Sequence, residues 1–261
     1  MRKFGQPDVR LANRLFWMFS RDKYLGSRLG IFWALFQPLA LLLIYAFLFG
    51  FVFQVRVPGA ATSLEYVTWL FAGLVPWLAL QESILQGANS IVSHGQLIKN
   101  LPLRKELVPL ATSASAVFIL LVGQSLTVVL LLLSGSEITP WLLLVLPLDT
   151  LLITLGAALG LLLSPLVTVY KDLSHVLPTV LIIVLFASPI IYPISLLPEP
   201  MQVLSSINPI AIAIEALRST LYGGTGPNWT QVLFLAIFVS ALFALSLLAF
   251  RRVASRLPAY V

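Results

Sequence analysis

Five stretches of this chain run at membrane-spanning length without an aspartate, glutamate, lysine or arginine: Leu29–Val55, Leu107–Ser136, Thr150–Tyr170, Leu173–Pro198 and Ser219–Phe250. A sixth, Tyr66–Ser90, is interrupted only by Glu82. A helix needs about 20 apolar residues to cross a hydrocarbon core about 30 Å thick. Hydrocarbon offers the backbone no hydrogen-bond partner, so each crossing segment has to satisfy its own peptide groups as a helix. Composition agrees, since 59% of residues are hydrophobic and 10% charged, against about 25% charged in a soluble domain. The sequence therefore predicts an all-α integral membrane protein with six transmembrane helices. They fall at about 29–54, 66–90, 107–134, 140–166, 174–193 and 229–250. Residues 1–28 precede this domain, which fills 29–261.

Charge placement orients the chain. With the N-terminus in the cytoplasm, six spans leave fourteen lysines and arginines inside and only Arg56 and Arg218 outside. That bias is the positive-inside pattern, and it places both termini in the cytoplasm. The formal charge of +6 follows from this placement, so it gives no reason to expect nucleic-acid binding. Cysteine is absent, which excludes disulfides and thiolate metal sites.

One segment resists the helical reading. SPIIYPISLLPEP at 188–200 carries Pro189, Pro193, Pro198 and Pro200, and Pro209 follows. A seventh span here would export Arg251, Arg252 and Arg256 and weaken the charge bias. The pieces Pro200–Ile207 and Ile210–Tyr222 would be about 12 and 20 Å long at 1.5 Å per residue, too short to cross. Residues 195–224 therefore read as a re-entrant pair of helices on the outer face, in preference to an amphipathic loop lying there. Broken backbone at membrane depth survives only when protein or a watery cavity surrounds it.

Two other segments face the cytoplasm on this topology. In LANRLFWMFSRDKYLGSRLG, Arg10, Arg14, Arg21 and Arg28 share one helical face, while Leu11, Leu15, Met18, Phe19 and Leu25 take another. A basic amphipathic helix of this kind lies in the lipid headgroup layer. The loop SIVSHGQLIKNLPLRKELVP is long enough for one short projecting helix that could dock a partner. His94 within it reads as a solvated polar residue, since His175 is the only other histidine. Lys171 and Asp172 are adjacent, so they contact different neighbours.

Catalytic chemistry is hard to find. No phosphate-cradling G-x-x-x-x-G-K-[ST] loop occurs, nor H-E-x-x-H or G-x-S-x-G. Glu82 and Asp149 are the acids within spans, and structural hydrogen bonding is the preferred reading over ion coupling. The membrane helices are rich in aromatics, including Phe32, Trp33, Phe36, Tyr45, Phe49, Trp77 and Tyr192. These either pack against lipid and protein or line a conduit in which sugar rings slide over aromatic faces. Without an internal repeat, a secondary transporter is disfavoured. A membrane enzyme is disfavoured too, because no cluster of acids, histidines or nucleophiles converges.

Four stretches carry a wider likeness: RDKYLGSRLGIFWALFQPL, NSIVSHGQLIKNLPLRKELVPL, LGLLLSPLVTVYKDLSHVLP and FASPIIYPISLLPEPMQVLSSINPIAIAIEALRSTLYGG. In this order they resemble the membrane subunits of ABC transporters that export O-antigen, capsule or teichoic-acid polysaccharides. Departures are Leu101 where an aromatic is common, and Lys171 where an arginine often precedes the aspartate. Lysine keeps the charge but loses the planar fork.

The resemblance implies a bacterial inner-membrane permease that is not itself an enzyme. It would act as a homodimer with two copies of an ATPase subunit, MgATP being bound on that partner and no cofactor on this chain. The cargo would be a polysaccharide carried on a lipid; a small lipophilic compound or drug is the alternative. The likeness makes the aromatic residues named above the conduit, and Pro189, Pro193, Pro198, Pro209 and Arg218 part of a periplasmic gate. His94, Gly95, Gln96, Leu97, Lys99, Lys171 and Asp172 would face the ATPase and couple to it.

Overall fold

The computed structural model describes residues 6–25, 36, 39–40, 43–44, 47–48, 52, 62–100, 103–135, 139–223 and 226–260. The expected first span at 29–54 lies largely outside these residues. The protein is all-helical, with no strand among the described residues. Among the described residues, four helical segments are long and apolar enough to cross a membrane: Leu64–Ser93, Leu107–Leu133, Pro140–Val169 and Trp229–Val253. A bent pair, Glu199–Ile207 with Pro209–Tyr222, makes a fifth if it counts as one span.

The chain opens with helix α1 (Gln6–Leu25). Its apolar face turns inward through Leu15 and Phe19, while Arg10, Arg14 and Arg21 are exposed. Met18, expected on the apolar face, is also exposed. Helix α2 (Ser63–Ser93) begins at a capping box in which Glu65 N–H donates to Thr62 Oγ1 at 3.2 Å and Thr62 N–H donates to the Glu65 carboxylate at 3.4 Å. Two orphan donors of the first turn are thus satisfied reciprocally. The helix has 31 residues, about 46 Å at 1.5 Å per residue.

α2 is the centre of the bundle. Of its apolar window 78% is buried, against 17% in the last helix. It is followed by the short α3 (Gly95–Asn100), then α4 (Leu107–Ala114) and α5 (Val117–Leu133). A turn at Ser115–Ala116 breaks the expected span at 107–134 into these last two. A 3₁₀ turn at Pro140–Leu144 leads into α6 (Val145–Val169), which lies along α2. The two backbones approach closely at paired glycines: a methyl added to Gly87 would stand 2.9 Å from the Gly160 Cα, and the reverse is equally tight. Without a hydrophobic driving force between helices in lipid, such small-residue contacts let packing hold them together. Ser113 Oγ donates to the Ser83 carbonyl oxygen at 2.9 Å beside this crossing.

Helix α7 (Leu173–Ala187) has 15 residues, about 22 Å. The expected span at 174–193 thus continues as helix only to Ala187. Pro189 accounts for the stop, because a residue before proline is driven out of the helical region; Ser188 sits at φ −102°, ψ 145°. After a 3₁₀ turn at Ile194–Leu196 come α8 (Glu199–Ile207) and α9 (Pro209–Arg218), bent from one another by 86°. A π-helical turn at Ser219–Gly223 follows, and α10 (Trp229–Val253) closes the bundle against α6. Asn228 caps α10 by accepting from the Thr230 and Gln231 N–H groups.

Candidate gate and coupling sites

Polar chemistry gathers at the two ends of α2. At its first turns, Arg218 at the end of α9 is only 3% exposed. A guanidinium is always charged and is fit to be buried only with several partners. Arg218 Nη2 donates to the Ile190 carbonyl oxygen at 2.7 Å, and Nη1 to Glu215 Oε2 at 3.2 Å. Its Cζ lies 3.8 Å from the centroid of the Trp69 ring, a cation–π contact. The Nε has no hydrogen-bond partner among the described residues. Gly73, one turn beyond Trp69, makes room for the side chain: a methyl there would overlap Nη2 and sit 3.1 Å from the Ile190 oxygen. Arg218 therefore joins α9, α2 and the turn after α7.

The prolines expected at the gate sit around this arginine in different settings. Pro189 and Pro193 are buried, Pro209 half-buried and Pro198 exposed. Pro209 occupies the first turn of α9, where its missing N–H costs nothing. Asn208 before it does double work: its Oδ1 accepts from Ile210 N–H at 3.0 Å, and its Nδ2 donates to Ser188 Oγ at 3.0 Å. The Tyr192 hydroxyl donates to the Phe186 carbonyl oxygen at 2.6 Å, tying the proline-rich turn back to α7.

The other aromatics are dispersed. Trp77 is wholly buried in the core around α2. Phe36 is exposed, while Phe32, Trp33, Tyr45 and Phe49 lie outside the described residues. Glu82 and Asp149 each take a hydrogen bond from an amide, Gln86 at 2.8 Å and Gln124 at 3.2 Å.

At the far end of α2, His94 terminates the helix. Its Nδ1 is 3.0 Å from the Ser90 carbonyl oxygen, and its ring packs 4.1 Å from Phe19 of α1, centroid to centroid. It is half-buried rather than solvated. Behind it, α3 buries Gly95 and Ile98 and exposes Gln96 and Lys99, with Leu97 between. Lys171 and Asp172 are exposed in the turn between α6 and α7, and Asp172 makes no side-chain cap to α7.

Sequence reading missed the ionic cluster beside α3. Glu106 is buried and accepts from Arg251 Nε of α10 at 3.0 Å, with Arg104 Nε at 3.8 Å. Arg104 also reaches Asp8 of α1 at 3.2 Å, and Lys105 Nζ donates to the Ala254 carbonyl oxygen at 2.9 Å. The consecutive charges at 104–106 were visible; their partners, as far as 149 positions away, were not.

These two polar ends sit on a chain with recognisable relatives. Residues 11–222 match the family described as ABC2_membrane, ABC-2 type transporter. The chain belongs to the ABC-2 type transporter family. The likeness seen in the four stretches is thereby borne out at the family level, and the chain is a multi-pass membrane permease rather than a nucleotide-binding subunit. The ABC-2 permease is 25% identical over 219 residues to the O-antigen export system permease protein RfbA of Myxococcus xanthus, covering 83% of this chain and 82% of that one. A protein of the same name from Klebsiella pneumoniae is 24% identical over 208 residues, 78% and 76% of the two chains. The polysialic acid transport protein KpsM of Escherichia coli is 25% identical over 233 residues, 88% of each.

Proposed function

We propose that this ABC-2 permease is the membrane half of an ATP-driven exporter moving a polysaccharide, carried on a lipid, across the bacterial inner membrane. The observation that carries the reading is likeness along most of the chain to proteins named for O-antigen export and polysialic acid transport. Those names favour a glycan over the small lipophilic cargo. On this reading the permease works as a homodimer of six-span subunits with both termini cytoplasmic, and two copies of a separate ATPase sit beneath it.

Each polar end then has a task. The cytoplasmic face carries α3 with its exposed Gln96 and Lys99, and the exposed Lys171–Asp172 turn; together they offer the ATPase a landing surface. The ionic cluster at Glu106 ties that surface to α1 and α10. On the outer face, the bent pair α8–α9 gates the exit. Aromatics of the first span line the path between. A deletion strain complemented with this gene and its ATPase is the direct test. Surface polysaccharide should return with both and with neither alone. Restored drug efflux with no surface glycan would overturn the reading.

A further inference from the structure

The geometry points to a division of labour within the bent pair: Arg218 is a positioning residue that pins α9 to the body of the protomer, and α8 alone is the moving leaf, turning about Asn208. The inference rests on the gate reading above and goes further by naming which part moves.

Burial separates the two helices. In α9, Ala211 through Ile214 and Ala216 through Arg218 are buried, leaving Glu215 outward. In α8 only Ser205 is buried, while Met201, Val203, Leu204 and Ile207 are each more than half exposed. The fastenings separate them too. Arg218 holds α9 to Trp69 of α2 and to the Ile190 carbonyl at once. Withdrawing it would strand a guanidinium from its partners in a place water does not reach. The cap at Asn208 belongs to α9, since its side chain bonds Ile210 N–H and Ser188.

Among the described residues, no side-chain hydrogen bond or ion pair ties α8 to the bundle. The helix packs on α9 and on the 194–196 turn, and Gln202 Nε2 donates only as far as the Leu197 carbonyl, at 2.7 Å. Extended residues flank it on both sides: Leu197 and Pro198 at ψ 147°, and Asn208 at ψ 114°. A short helix between two extended joints can swing while uncovering only Ser205, and hinges are a few such element-terminal residues.

The test uses the full permease with its ATPase in lipid nanodiscs. Because the chain contains no cysteine, Ser206→Cys on α8 and Ser219→Cys at the end of α9 can each carry one nitroxide. Spectra are compared without nucleotide and with ATP trapped. The Ser206 label should change between the two states and the Ser219 label should not. Weakening the clamp by Gly73→Ala, which pushes on the guanidinium, or by Arg218→Lys should make the Ser219 label respond as well. Polysaccharide export per ATP hydrolysed should then fall at least about fivefold, the low end of coupling effects.

A Ser219 label that responds in the otherwise unaltered protein overturns the clamp and leaves the gate standing. So does a Ser219 label indifferent to both clamp variants. If neither label responds while export proceeds, the gate reading itself falls.

Discussion

Single side chains at the ends of α2 set how firmly this protein is held. Glu106 shares its buried carboxylate between Arg104 and Arg251. Glu106→Gln would leave two cations around a neutral amide, and because Arg251 is about a third exposed, the loss should be about 1–3 kcal/mol. It should appear as a lower unfolding midpoint in detergent, largely matched by Arg251→Met, with the double variant no worse than either single one. Additive losses would show that the two residues do not act on each other. At the glycine crossing, a methyl on Gly160 would meet Ser113 Oγ at 2.8 Å and the Gly87 backbone at 2.9 Å. Gly160→Ala should therefore destabilise by about 1–3 kcal/mol through overpacking. Gly73→Ala, whose methyl would overlap the buried and fully engaged Arg218 guanidinium, should cost at least as much. Thermal midpoints of the two purified variants decide the order.

Among the elements, the bent pair α8–α9 was the most legible, and the reason is covalent. Prolines at 189, 193, 198 and 209 restrict their own φ and exclude helix just before them, so the breaks could be read without any knowledge of neighbours. Replacing Pro193 and Pro209 with alanine frees Tyr192 and Asn208 to turn helical and lets helix extend across positions where an interior proline would cost about 3 kcal/mol. The doubly changed permease should still insert and accumulate, while surface polysaccharide falls or the membrane leaks small ions; unchanged export with a tight membrane would count against the gate. The break at Ser115–Ala116 was illegible, because no proline or glycine stands at it, and Thr112, Ser113 and Ser115 are as common inside membrane helices as at their ends. Likewise the burial of Arg218 depends on Trp69 and Gly73, which lie far away in sequence. Topology counting expects that arginine on the outer side but could not see its partners. At the other end, replacing the exposed Gln96 and Lys99 of α3 with alanine should preserve folding, since Ile98 stays in the core, and lower the stimulation of ATP hydrolysis by the permease, read as the hydrolysis rate of the assembled complex.

For the molecule as a whole, the orientation deduced from charge is testable by labelling. Cysteines placed singly at Ser136 and Gly226 should react with an impermeant maleimide added outside whole cells, and one at Ser255 only after permeabilisation. External reaction at Ser255 would reverse the arrangement and with it the assignment of α3 to the ATPase side. Alanine at Phe32, Trp33 or Phe36 should lower surface polysaccharide at normal protein abundance and normal basal ATP hydrolysis; abundance and hydrolysis falling together would mark these as packing residues instead. The contact between Gly87 and Gly160 has a consequence at this scale. Two helices that touch backbone to backbone form a single beam, with no slack between them for sliding or prying. On the proposed reading, space for a sugar polymer then has to open along a seam between two such beams, each from its own copy of the chain, and the bore of the channel is set by how far the copies part.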